Sequence, residues 1–240
     1  SPVARREGFA SVGELMRAIG EHQDERLVWA MVEAMTLSET SWFRDPAVFD
    51  ALRDEVLPEL ALRRKGKAIR VWSAACGSGQ EIYSLAMMLD ETRRRAPRVE
   101  LFGSDLCERQ LEKARSGLYT QFEVQRGLSA RRLVDNFEKQ DDMFVLAPRL
   151  RQTVRWRRIN LMDDLPRASR YELILCRNAL GSLTALARAQ VLESLVGALA
   201  EDGRLVLGAQ EAPEAGFAGL RVVSGQPGVY AARPRTRAAA

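Results

Sequence analysis

Four short segments of this 240-residue chain carry side chains able to hold or act on a small bound molecule. The first is Ala74-Ala75-Cys76-Gly77-Ser78-Gly79-Gln80-Glu81, small residues lying between an apolar run and a helical pattern. Small residues let the backbone approach a ligand closely, and the helix that follows offers its N-terminus. A dinucleotide fingerprint has a third glycine for helix–strand packing and pyrophosphate room, and Ile82 stands there instead. Ala75, Gly77 and Gly79 thus suit a cofactor without phosphate, or a tight turn that binds nothing. The second is Asp105, whose carboxylate could accept ribose hydroxyls or cap the helix that begins near Glu108. The third is Asn160-Leu161-Met162-Asp163-Asp164, a polar loop suited to an adenine edge. The fourth is Cys176-Arg177-Asn178-Ala179-Leu180, directly after an apolar run.

These segments need a frame that gathers them. Ile69–Trp72 reads as a strand, Glu81–Arg95 as a helix, Val99–Gly103 as a strand ending at Asp105, and Glu108–Ser116 as a helix. Tyr171–Cys176 is a buried strand, Leu186–Leu199 a helix with Gly203 placed to cap it, and Arg204–Leu207 a strand. This alternation predicts a parallel sheet with right-handed crossovers, and it sets each segment at a strand's carboxyl end, where open α/β sheets bind ligands. Leu220–Val223 and Val229–Ala231 predict a closing antiparallel hairpin. Residues 119–155 break the rhythm. Short strands at Phe144–Leu146 and Thr153–Arg157, around a helix near Ala130–Phe137, predict an inserted β subdomain. Upstream, Leu15, Met16 and Ile19, then Leu27, Val28, Met31, Val32 and Met35, fall at helical spacing. Pro46 opens a further helix. The expected division is a truncated N-terminal helical domain and linker over 1–45 and an α/β domain over 46–240, with the insert at about 119–155.

Composition removes several classes. Three widely spaced cysteines and a single histidine, His22, give neither a disulfide framework nor a metal site, and they fit a reducing cytoplasm. No apolar run approaches the roughly 18 residues of a membrane span, and no signal-peptide core opens the chain, so no membrane insertion is expected. The net charge is +4, with arginines crowded over 126–170; an acidic partner and a solvated face both account for that.

Together these residues resemble the CheR-type chemotaxis receptor methyltransferases, from about Val3 to Arg233. Leu37-Ser38-Glu39-Thr40-Ser41-Trp42-Phe43-Arg44 is similar to the family's Thr-Asn-x-Thr-x-Phe-Phe-Arg. Arg70-Val71-Trp72-Ser73-Ala74-Ala75, then Gly79-Gln80-Glu81-Ile82-Tyr83-Ser84, is similar to its Arg-Val-Trp-Ser-Ala-Ala-x-x-x-Gly-Glu-Glu-Pro-Tyr-Ser. Lys113–Tyr119, Gly127-Leu128-Ser129, Asn160-Leu161 and Cys176-Arg177-Asn178 continue the likeness. The resemblance implies a Rossmann-like α/β sheet with a small helical domain and an inserted β subdomain. It implies S-adenosylmethionine as cofactor, S-adenosylhomocysteine as product, and O-methylation of glutamates on the helical cytoplasmic domain of chemoreceptors.

It further implies that Ser38, Thr40, Arg44, Ala75, Glu81, Asp105, Asn160, Leu161 and Asn178 line the cofactor pocket. Arg44 and Arg177 would face the sulfonium and the incoming carboxylate, or else form ion pairs. Some members use a glycine-containing loop of the insert to grip a receptor's C-terminal pentapeptide. Here Glu138-Lys139-Gln140-Asp141-Asp142 is shorter and lacks glycine, so no such tether is expected. Ser182 stands where the family has a tyrosine, Gly208-Ala209-Gln210-Glu211 replaces Gly-His-Ser-Glu, and the basic receptor-binding helix is reduced to Arg5 and Arg6. A second reading is therefore kept, a weakly active or inactive cofactor-binding regulatory module. A nucleic-acid methyltransferase is disfavoured, because Cys-Arg-Asn occupies the place of an Asn-Pro-Pro-aromatic motif.

Overall fold

The computed structural model describes residues 2–22, 24–35, 39–92, 97–163, 170–215 and 217–233. It divides into two units, Ser1–Glu39 and Thr40–Ala240. The first is helical, with α1 (Pro2–Arg6), α2 (Val12–His22) and α3 (Glu25–Met35). Val3, Ala4, Leu15 and Leu27 form its core, and the stripe of apolar residues on α2 and α3 is what drives them together. α1 ends on Arg5 and Arg6, the remnant of the basic helix implied by the resemblance, though five residues are too few to show a period of their own.

The second unit opens with α4 (Pro46–Ala51), a π-turned stretch Leu52–Val56 and α5 (Leu57–Arg64). There follow β1 (Ile69–Ala74), α6 (Gln80–Glu91), β2 (Val99–Asp105), α7 (Glu108–Ser116), β3 (Leu118–Thr120), α8 (Gln121–Gln125), α9 (Ala130–Asn136), β4 (Phe137–Gln140), β5 (Met143–Leu146) and α10 (Pro148–Arg151). The described residues close with β6 (Val154–Arg158), β7 (Tyr171–Cys176), α11 (Ala185–Ala198), β8 (Leu199–Leu207), β9 (Leu220–Val222) and β10 (Val229–Ala232).

The main sheet has the order β6-β2-β1-β7-β8-β10-β9. Its first five strands are parallel, and β10 runs antiparallel between β8 and β9. Apolar runs such as Leu173–Cys176 are buried on both faces because both are covered. On one face Val71, Leu173 and Leu175 meet Leu52, Val56, Ile82 and Leu85. On the other, Trp72, Ile174 and Leu205 meet Val191, Leu192 and Leu195 of α11. Each buried aliphatic side chain contributes about 1.5–3 kcal/mol, which fixes the strand ends firmly enough to present a site.

Three local readings need correction. Thr153–Arg157, expected in the insert, supplies β6, the edge strand of the main sheet, paired with β2 from Leu101↔Val154 to Asp105↔Arg158. Its alternation announces a half-exposed strand but not which sheet receives it. Val154 is buried while Arg155 and Arg157 face solvent, and charges on an edge strand discourage pairing with other chains. Trp156 packs where a Cβ on Gly103 would lie, 2.5 Å from its Cζ3. Gly203 caps no helix: α11 ends at Ala198, and a Cβ on Gly203 would stand 3.0 Å from the carbonyls of both Ala200 and Tyr171, so close backbone approach explains the glycine. Glu138–Gln140, read as a loop, lies in β4. The helix after the glycine turn is described as far as Glu91, and Arg93–Arg95 lie outside the described residues.

The small sheet has the order β3-β5-β4 and is antiparallel throughout. Asp141 and Asp142 alone join β4 to β5, and Asp141 takes φ 51, as a tight hairpin turn requires. Tyr119 of β3, fully buried, donates its hydroxyl to the Ser78 carbonyl at 2.6 Å, which ties this sheet to the glycine turn. Among the described residues no helix is long and apolar enough to cross a membrane.

Candidate functional site

Four neighbouring parallel strands, β6, β2, β1 and β7, end at one edge of the sheet, and each sequence-derived segment follows one of them. Register makes the gathering explicit: Ala74 is level with Ser104, and Asp105 with Arg158. The loops interlock beyond the strands. Gly77 N–H donates to Asp105 Oδ2 at 2.8 Å, Cys76 N–H to the Ser104 carbonyl at 2.9 Å, and Ile159 N–H to the Asp105 carbonyl at 3.1 Å. Asp105 also accepts Cys107 N–H at 2.9 Å, while Cys107, not Asp105, is the N-cap residue of α7. Thr40 joins this edge, its Cγ2 lying 3.4 Å from where a Gly77 Cβ would stand.

The backbone is unusual at this edge. Ala75 (φ 55) and Asn178 (φ 61) hold left-handed conformations that side chains rarely adopt, and Phe43 (φ 46) and Asp45 (φ 57) do the same in the adjoining segment. Such strain, of order 1–3 kcal/mol per residue, persists where the surroundings over-determine it, and it clusters at ligand sites. Gly77 (φ 56) and Gly79 (φ 91) share the conformation at little cost. Gly79 has a second reason to be small, since its Cβ would meet Trp156 at 3.0 Å and Ala114 at 3.1 Å. Asn160 turns into its own loop: its Oδ1 accepts Met162 N–H at 3.1 Å and its Nδ2 donates to Asp163 at 3.0 Å. Leu161 packs at the margin of the core. Thr40, Arg44, Ala75, Glu81, Asp105, Asn160 and Leu161 are half-buried and Asn178 is exposed, so a ligand can reach them. Ser38 and Asp164 lie outside the described residues.

Arg177 is the electrostatic centre. Its side chain is 2% exposed. Nη1 donates to Glu81 Oε2 at 3.0 Å, and Nη2 donates to Asp45 Oδ2 and the Arg44 carbonyl, each at 2.7 Å. Glu81 accepts Ser73 Oγ–H at 2.8 Å through its other oxygen. One guanidinium thus joins the ends of β7 and β1, the first turn of α6 and the Arg44–Asp45 turn; of the two sequence readings, the ion pair is present. Sequence reasoning noted Glu211 only as the end of the Gly208–Glu211 segment and gave it no role; it accepts four backbone N–H groups across the β7 and β8 loops. Burial first, then the charges of Asp105 and Glu81, push the Cys76 thiol up; burial, then Glu211 and Glu81, do the same at Cys176. Both stay protonated at neutral pH and supply no thiolate nucleophile.

The donor set decides which cofactor fits. The Asp105 carboxylate beside the glycine turn repels phosphate where a dinucleotide would place it, while Glu81 in the first turn of α6 has its charge paired with Arg177. The same carboxylates suit ribose hydroxyls and a cationic sulfonium. The open sheet with its antiparallel β10 inserted before β9, and this phosphate-excluding turn, define a Rossmann-like S-adenosylmethionine-dependent methyltransferase. The family model described as "CheR methyltransferase, SAM binding domain" matches residues 38–223. Chemotaxis protein methyltransferase 1 of Pseudomonas aeruginosa is 37% identical over 212 residues, covering 86% of this chain and 77% of that protein. Chemotaxis protein methyltransferase Cher2 of Pseudomonas putida is 34% identical with the same coverage. Chemotaxis protein methyltransferase of Vibrio parahaemolyticus is 36% identical over 216 residues, 88% of this chain and 78% of its own length. The chain belongs to the CheR methyltransferase family.

Proposed function

We propose that this chain is a cytoplasmic protein-glutamate O-methyltransferase acting on the helical cytoplasmic domain of chemoreceptors, without a pentapeptide tether. The observation that carries the reading is the convergence of Thr40, Gly77, Asp105, Arg177 and Asn178 at one sheet edge. Relatives bearing the name chemotaxis protein methyltransferase support the substrate class. The two-residue Asp141-Asp142 connection, too short to seat a peptide, supports the absence of a tether. The catalytic domain is taken as 46–240, with Thr40 reaching the pocket from the segment just before it and the insert, which stops short of β6, turned to the receptor.

Bound S-adenosylmethionine supplies an electrophilic methyl group on a sulfonium. A glutamate acceptor is already ionised at pH 7, so the chain needs no general base. Its task is positioning in a water-poor pocket. Asp105 and Asn160 are assigned to the nucleoside, with Thr40, Ala75, Gly77, Gly79, Leu161 and Asn178 shaping the wall. Arg177, shut away from solvent by its own carboxylates, holds Glu81 and the Arg44–Asp45 turn in place. Arg44, half-buried at the same edge, is assigned to orient the incoming carboxylate, loosely, since a tight grip would stabilise the ground state.

Isothermal titration with S-adenosylmethionine and S-adenosylhomocysteine, together with methyl incorporation into receptor cytoplasmic fragments, tests this. Tight binding with no transfer to any fragment would favour a regulatory module, which the exposed Ser182 at the family's tyrosine position makes a specific alternative. Arg44→Ala should reduce transfer by roughly 10²-fold or more, the scale of a misplaced reactant. A variant as active as the parent would take Arg44 out of the site.

A further inference from the structure

We propose that Glu211 is a positioning residue for methyl transfer: it shapes the loop after β7 that carries Asn178, and so sets the cofactor pocket from the side opposite Asp105. This rests on the function proposed above. Its Oε2 accepts Asn178 N–H at 2.6 Å and Gly208 N–H at 2.9 Å, and its Oε1 accepts Leu180 N–H at 2.7 Å and Gly181 N–H at 3.2 Å. Glu211 N–H in turn donates to the Gly208 carbonyl at 2.9 Å. One side chain therefore satisfies four main-chain donors from two loops at adjacent strand ends. It also pins Asn178 in its left-handed conformation, φ 61.

Only an ionised carboxylate accepts on both oxygens and donates from neither. A glutamine would turn its NH₂ toward two N–H groups. Gly208 belongs to the same device. A Cβ there would stand 2.7 Å from Glu211 Oε2, 2.8 Å from Asn178 Nδ2 and 3.0 Å from Asn178 N. The two ends of the Gly208–Glu211 segment are thus fixed by one interlock, a reason for glycine and glutamate that does not depend on the two residues between them.

The test compares Glu211→Gln and Gly208→Ala with Glu214→Gln, which removes only a surface pair with Arg188 farther along the same loop. S-adenosylhomocysteine Kd by calorimetry, kcat and KM on a receptor fragment, and Tm are read for each. Expected is a Kd weakened at least about tenfold in E211Q and G208A, as for lost hydrogen bonds to a charged acceptor, with lowered kcat, an unchanged receptor KM and an unaffected E214Q. A merely structural glutamate would lower Tm and leave Kd and kcat alone. That result, in a parent that binds and methylates, overturns the positioning role and leaves the functional reading standing. A parent that binds nothing overturns both. Should E211Q fail to fold, G208A, which retains the carboxylate, carries the same comparison.

Discussion

Replacing Arg177 with alanine should remove cofactor binding and destabilise the domain by about 3–5 kcal/mol, the penalty for leaving a buried charge without its partner. The guanidinium is 2% exposed, Glu81 13% and Asp45 38%. Asp45, the more exposed, recovers water more fully than Glu81 when the arginine is lost, so most of the penalty falls on Glu81. Lysine should not rescue. A single ammonium cannot span Glu81 Oε2, Asp45 Oδ2 and the Arg44 carbonyl, which the planar fork reaches together. The double variant R177M/E81Q separates the two effects. Without the buried charge it should recover part of the stability in a urea melt, yet S-adenosylhomocysteine binding should stay lost, because the Arg44–Asp45 turn is no longer fastened to β7. An R177A chain that binds with the parent's Kd would show that this network only stabilises the fold.

The frame of the site was legible because it depends on local pattern. Leu173–Cys176 is an apolar run and Ile69–Ala74 is mostly apolar, broken by Arg70 and Ser73, and strands buried on both faces read that way. The chemistry at their ends was legible for the same reason, since a ligand edge follows from parallel strand order. What escaped was tertiary. Glu211 reaches donors 30 to 33 positions earlier in the chain, and no spacing announces that. Gly208, at a strand end three residues before it, was the available signal. Arg177 carries a charge that ordinarily means exposure, and only the two carboxylates folded against it explain its burial. The strand Val154–Arg158 was visible, but its alternation suits either sheet. What places it is the room left at Gly103 for Trp156, a contact between residues 53 positions apart in the numbering.

Gly127→Ala is expected to displace the Thr40–Arg44 segment and so weaken cofactor binding while lowering stability. Gly127 takes φ 105, and a Cβ there would lie 1.9 Å from the Trp42 carbonyl oxygen and 2.9 Å from its carbon. Both obstacles are backbone, so no rotamer relieves them. Trp42 is held by main chain and ring: its main-chain N–H donates to the Arg126 carbonyl at 3.0 Å, and its ring meets Tyr119 and Phe137 edge-on at 4.9 and 5.4 Å. Phe43, next in line, donates its N–H to Ser84 Oγ at 2.9 Å. The left-handed conformation and the overlap together should cost about 3 kcal/mol or more. In a domain of this size that corresponds to a fall in Tm of roughly 6–12 °C. Gly66→Ala isolates the two contributions, since Gly66 has a similar φ of 83 and nothing within 4 Å of its Cβ position. It should show only the smaller conformational penalty, and its Kd for S-adenosylhomocysteine should match the parent's. If G127A and G66A lose the same stability and bind equally well, the insert does not hold the Thr40–Arg44 segment, and the pocket is built from the sheet edge alone.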